Sequence, residues 1–216
     1  MNDIPFTTLL SVLIPSVPSR IAKMQALFAK LQAQIGDLPV EVLCLLDNKK
    51  RTVGMKRDAL VRTAKGVYLA FVDDDDDVAD DYIAKIVAKI REVTPQPPHL
   101  WPEVIVFKQR CTFTNAKCIS CLEIDGPPFE IDHDIRYEMQ AVHQYPDGTW
   151  KDITRKPWHH NAWRADIAKS EPFPDTSFGE DGGWVSKLWP KVTHEAKIEG
   201  PPLHYYQFNG KTTEAS

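Results

Sequence analysis

Three short apolar runs, each stopped by a breaker or an acidic residue and each followed by helix-like spacing, constrain this chain more than any other feature. Residues 9–14 read Leu-Leu-Ser-Val-Leu-Ile and halt at Pro15 and Ser16. Residues 40–46 halt at Asp47 and Asn48, and residues 67–72 run directly into five aspartates, Asp73 to Asp77. Runs this short that end at breakers read as buried strands, since a buried helix needs a longer segment. After the first run, apolar residues recur at Ile21, Met24, Leu27, Phe28, Leu31 and Ile35, the spacing of an amphipathic helix closed by Gly36. Residues 55–65 predict a second helix stopping at Gly66. Asp80 or Asp81 is expected to cap a third, whose apolar face is Tyr82, Ile83, Ile86, Val87 and Ile90. Strand and helix alternating in this way imply an α/β fold with a parallel sheet and right-handed crossovers. Ligands bind such sheets beyond the carboxyl ends of the strands, where Pro15, Ser16, Asp47 and the aspartate run all fall.

The proline-rich stretch 94–102 suits neither a helix nor a central strand and marks a boundary. The reading is therefore a ligand-binding half, 1–100, and a second half, 101–216, of one compact domain, which 216 residues are enough to build. Beyond the boundary, residues 104–107 predict a fourth strand and 110–124 a hairpin turning near Asn115. Residues 126–160 show weak periodicity and read as mixed loops and strands. A short helix is expected after Asn161, and another from near Glu180 to before Pro190.

The net charge of −4 is unevenly spread, because seven of the thirty acids lie between Asp73 and Asp81. Without them 23 acids face 26 bases, a balance of +3. Five bases and no acid lie between Lys49 and Arg57. A basic stretch followed by an acidic one suits a phosphate-bearing ligand held with a cation. No apolar run reaches the roughly 18 residues of a membrane span, and the first thirteen residues lack a signal-peptide pattern, so the chain reads as cytoplasmic. Cys44, Cys111, Cys118 and Cys121 are too sparse for a disulfide framework and read as free thiols. Cys111 with Cys118 and Cys121 lacks the second spaced pair of a zinc site.

Carboxylates crowded at a strand end raise one another's pKa, and a divalent cation removes that cost. Mg²⁺ or Mn²⁺ bound by carboxylates, water and phosphate is the chemistry these residues suit. Asp73, Asp74 and Asp75 are the functional candidates, whereas Asp76 and Asp77 read as solvent-facing caps of the next helix.

The ordered set Ser11-Val12-Leu13-Ile14-Pro15-Ser16, Asp47, Lys56-Arg57-Asp58-Ala59-Leu60, Ala64 to Asp76, Phe173-Pro174-Asp175 and Phe178-Gly179-Glu180-Asp181 resembles the large, family-2-like group of inverting GT-A glycosyltransferases with a DxD motif. The resemblance runs from about residue 10 to 208 and is weakest between about 105 and 150. It implies a GT-A-like, Rossmann-like fold with a mixed, mostly parallel sheet flanked by helices. It also implies that Pro15, Ser16, Arg20, Asp47, Lys56, Arg57, Asp73 and Asp74 bind the nucleotide, and that Asp75 holds the metal, Mn²⁺ or Mg²⁺. Asp74 competes with Asp75 for that role, because the aspartate run leaves the register open by one residue. The acidic pair Glu180-Asp181 matches the family's catalytic pair, with Asp181 as the base. His204 stands where many members place a further metal ligand.

The donor implied is a nucleotide sugar, a UDP-sugar by family analogy. The acceptor is a hydroxyl of a saccharide, or of a hydroxymethylated base in DNA as for some phage sugar transferases, which would place the chain in host cytoplasm. Trp158, His159 and Trp184 are the acceptor-binding candidates, because aromatic faces stack on sugars and bases alike. A nucleotidyltransferase is the rival enzyme, although 15–20 lacks the glycine-rich loop such enzymes carry. A nucleotide- or carbohydrate-binding module without catalysis is the non-enzymatic rival.

Overall fold

Apolar on both faces, the segment Leu10–Ser16 (β1) has to lie inside a sheet, and every one of its residues is buried. The computed structural model describes residues 8–114, 128–137, 141–144 and 150–209. After β1 come the helix α1 (Ile21–Ile35), β2 (Val40–Leu46), α2 (Val53–Thr63), β3 (Tyr68–Phe71), β4 (Asp77–Val78) and α3 (Tyr82–Val93). The remaining elements are β5 (Val104–Val106), β6 (Gln109–Thr114), β7 (Phe129–His133), β8 (Ala141–Gln144), β9 (Trp150–Arg155), β10 (Ala162–Arg164), α4 (Ala165–Ala168), α5 (Glu180–Leu188), β11 (Glu195–Lys197) and β12 (His204–Asn209).

The first sheet has the order β11-β5-β10-β3-β1-β2. β2 and β3 flank β1 in parallel, as the alternation of elements predicts. β10 then enters antiparallel between β3 and β5, so the late chain completes the sheet begun by the early one. The period of two along each strand divides the core. Leu10, Val12 and Ile14 pack with Tyr68 and Ala70 against α1 and α3. Leu13 packs with Leu69, Phe71 and Trp163 against α2 and α5 on the other face. Burying each such side chain is worth roughly 1.5–3 kcal/mol, which holds the strand ends at fixed positions.

The second sheet, β4-β12-β6-β7-β9-β8, is built largely from the region whose periodicity is weak. β6 pairs with β7 antiparallel and with β12 in parallel, and a small core of Cys111, Phe129, Ile131 and Ile153 lies beneath it. Only the first strand of the expected 110–124 hairpin is described; its turn, with Cys118 and Cys121, lies outside the described residues. Cys44 and Cys111 are free thiols. Among the described residues no helix is long and apolar enough to cross a membrane.

Local departures from the sequence reading have simple causes. α2 starts two residues early because the Thr52 hydroxyl accepts from the Met55 amide and caps it. Gly66 does not end that helix. Its amide donates to Ser11 Oγ, and a Cβ there would lie 2.5 Å from the Ser11 nitrogen, so the position requires glycine for close approach to β1. Asp81 occupies the N-cap of α3 but makes no capping bond; its carboxylate pairs with Lys85 instead. The residues after Asn161 enter β10 before the short helix α4 begins.

Candidate active site

Buried strands end where their carboxylates must find cations, and the aspartate run meets that need residue by residue. Asp73 accepts from Arg57 Nη2 at 2.9 Å, and Arg57 Nε reaches Glu180 Oε1 at 3.2 Å. The buried Arg57 therefore ties the end of β3 to the start of α5. Burial alone would raise the Asp73 carboxyl, but the Arg57 charge and His159 bring it well below the usual carboxylate range. Asp74 turns away from the cavity. It accepts from Ser16 Oγ at 2.7 Å and Arg20 Nη1 at 2.8 Å, so it braces β1 against β3. Asp75 lies 3.3 Å from Arg20 Nη1, and burial pushes its carboxyl up to about 6 against the pull of Arg20.

Asp76 corrects the sequence reading, since it is buried rather than solvent-facing. Its Oδ1 accepts from the Gln207 amide and its Oδ2 lies 3.3 Å from His204 Nε2. Burial and the Asp73 charge push its carboxyl well above its usual value, and burial and His159 bring the His204 imidazole down to about 3. Asp77 is half-exposed and pairs with Lys30, but it belongs to β4 and does not cap the next helix.

A cavity of about 690 Å³ opens between the two sheets, within the ordinary size range of ligand pockets. Arg20, Arg57, Asp73, Asp75, Trp158, His159, Glu180, Asp181 and His204, all candidates from the sequence, line it. His159 bridges its two acidic sides, 3.8 Å from Asp73 Oδ2 and 3.4 Å from Asp181 Oδ2. Asp181 accepts from Trp158 Nε1 at 2.8 Å and from the Gly182 amide at 2.7 Å. Burial raises its carboxyl, but His159, Arg57 and these two hydrogen bonds outweigh that and leave it below the usual value.

Six candidates lie elsewhere. Ser16, Asp47 and Lys56 meet behind the cavity, where the fully buried Lys56 Nζ donates to the Ser16 carbonyl at 3.2 Å and sits 3.4 Å from Asp47 Oδ1. Pro15 is buried within β1 and Asp74 is occupied as described. Trp184, proposed for the acceptor, is a core residue: it is 1% exposed and stacks on Phe173 at 4.4 Å. Trp184 packs inward onto Phe173, Phe71 and Trp163, while Asp181 lines the cavity.

The second sheet contributes a wall that sequence reasoning missed. Gln109, Phe113, Arg155, Tyr206 and Phe208 line the cavity from its strands. His160 stacks on His204 at 4.7 Å and contacts His133 Nε2 at 3.0 Å, forming a buried row of imidazoles behind Asp76. The neighbouring pair His159-His160 is visible in the sequence; its alignment with His133 and His204 is not.

The donor set suits a divalent cation. Asp73 Oδ1 and His204 Nε2 are buried without a hydrogen-bond partner, a costly state that a ligand would relieve. Among the described residues no group of three His, Cys, Asp or Glu side chains is placed to hold a metal ion by itself. A cation here fits the mode in which one or two carboxylates share it with water and substrate phosphate.

No family model matches the chain, and no curated protein matches it. Among solved structures, S. aureus TarS 1–349 covers 93% of this chain at 16% identity with a TM-score of 0.56. The same protein in complex with UDP-GlcNAc covers 93% at 15% identity and 0.56, and in complex with UDP 93% at 15% and 0.57. This chain spans 58–60% of the length of those chains. The chain is thus similar in fold to TarS 1–349, a GT-A-like α/β arrangement of two mixed sheets flanked by helices.

Proposed function

We propose that the chain is an inverting glycosyltransferase that moves a sugar from a nucleotide-sugar donor, a UDP-sugar, to a hydroxyl acceptor. The observation that carries this reading is the shared cavity: the strand-end carboxylates Asp73 and Asp75 and the helix-start carboxylate Asp181 face one space, bridged by His159. Support for the donor class comes from the similar TarS structures in complex with UDP-GlcNAc and with UDP.

In this mechanism Arg57, itself tied to Glu180, holds Asp73 in place for the donor, and Asp75 with His204 or Asp76 would hold the cation. The cation, Mn²⁺ or Mg²⁺, would neutralise charge on the departing diphosphate. Asp181 takes the proton from the acceptor hydroxyl on the face opposite the leaving group, as inversion requires. Trp158 and the Gly182 amide fix its orientation, and its lowered pKa keeps it ionised at neutral pH. His159 positions the same carboxylate, and its ring offers the acceptor an aromatic edge.

A saccharide is the favoured acceptor. The alternative, a hydroxymethylated base in DNA, draws on the exposed residues Lys49, Lys50 and Arg51. Activity that falls steeply with salt would select it, and salt-insensitive transfer to free sugars would exclude it.

Titration calorimetry of UDP, GDP and CDP with and without Mn²⁺, on the wild type and Asp75→Ala, tests the donor half. Binding of one nucleotide that needs both cation and Asp75 is expected; no binding under any condition refutes the reading. Asp181→Asn then separates a transferase, which loses turnover and keeps donor binding, from a binding module, which loses nothing.

A further inference from the structure

Three arginines line the cavity, and two are neutralised. Arg20 meets Asp74 and Asp75, and Arg57 meets Asp73 and Glu180. The third, Arg155 at the end of β9, has a guanidinium with no hydrogen bond or ion pair to any described residue. It lies flat on the Trp158 indole, 3.6 Å from the ring centre. It feels Asp181 through space without pairing to it, and burial brings its pKa down to about 10. Stacking occupies one face of the guanidinium and leaves its in-plane N–H edge unpaired by any described residue, the geometry that grips phosphate or carboxylate in a fork.

The geometry points to an anion subsite at Arg155 on the base side of the cavity, taking one phosphate or carboxylate group carried by the acceptor. This rests on the transferase reading above. Its position favours the acceptor side for Arg155. Its indole partner Trp158 bonds the base Asp181, whereas the carboxylates at the end of β3 are held by Arg20 and Arg57. The cavity otherwise presents Asp73, Asp75, Asp76, Glu180 and Asp181, so an anionic acceptor needs a dedicated cation to enter it. A single partly buried guanidinium reaches one anionic group, which suits a charged saccharide-like acceptor rather than a duplex.

The test titrates methyl phosphate, and separately acetate, onto the protein saturated with UDP and Mg²⁺, following the Arg155 Nε–H signal by NMR. The expected result is saturable binding of at least one anion, with UDP retained, weakened roughly ten- to hundredfold in Arg155→Gln. Preference between the two probes identifies phosphate or carboxylate as the acceptor's group. Unchanged UDP affinity in Arg155→Gln verifies that the variant folds and that Arg155 does not serve the donor. The inference is overturned if neither anion binds, if either displaces UDP, if Arg155→Gln binds them equally, or if that variant loses UDP. Failure of the wild type to bind UDP overturns the transferase reading and this inference with it.

Discussion

Replacing Arg57 with leucine strands two buried carboxylates at once. Arg57 is 3% exposed and contacts Asp73 at 2.9 Å and Glu180 at 3.2 Å. Removing one partner of a buried pair costs about 3–5 kcal/mol, because the charge left behind is uncompensated. In a domain of this size each kcal/mol lowers Tm by roughly 2–4 °C, so the expected drop is roughly 6–20 °C. The assay is calorimetric unfolding in EDTA, so that a bound cation does not mask the loss. The pH dependence supplies a second check. The folded-state pKa of Asp73 is depressed, so its contribution to stability is complete above its ordinary value near 3.8 and is lost as pH falls through the folded value. In Arg57→Leu the same buried carboxyl has no cation and is pushed upward instead, so acid relieves the variant before it harms the wild type. The gap in Tm should therefore narrow between pH 7 and pH 4. A drop under about 2 °C, or a gap equal at both pH values, refutes the claim that this network braces the site.

Gly54→Ala should loosen the loop before α5, since a Cβ there would lie 1.8 Å from the Pro174 carbonyl oxygen and the Gly54 amide bonds Thr176. A loss of about 1–3 kcal/mol by thermal unfolding is expected, and an unchanged Tm would contradict it. Trp184→Ala should cost about 3–5 kcal/mol as a core cavity, while Trp184→Phe keeps acceptor KM unchanged; a KM shift in the latter would return Trp184 to the acceptor site. Trp158→Phe removes the Nε1 donor to Asp181 and should lower kcat more than donor affinity, measured by steady-state transfer and UDP titration. Equal losses in both would make Trp158 a donor contact.

The parallel core was legible because its signals are local. Strands such as 67–72 announce themselves as short apolar runs and helices such as α1 and α3 through a period of 3.6 residues, and breakers mark where the strands deliver their polar ends. That was enough to bring Asp73 and Asp75 forward as candidates, whereas Arg57 and Asp181 were implied by the resemblance to the glycosyltransferase group. Where these residues point was not legible, because five successive aspartates at a strand end look alike in sequence. Asp74 faces Ser16 and Arg20, Asp75 the cavity and Asp76 the buried His204, an assignment made by the course of the chain after β3 and by which partner each carboxylate meets. The second sheet was illegible for a related reason. Its parallel pairs, β6 with β12 and β7 with β9, join residues far apart in the chain, and its strands alternate too weakly to stand out. Local patterning therefore determined the Rossmann-like half and the chemical types that could serve it. Only tertiary pairing decided the wall that carries Arg155, since a cation's partners are set by what folds against it and not by its neighbours in sequence.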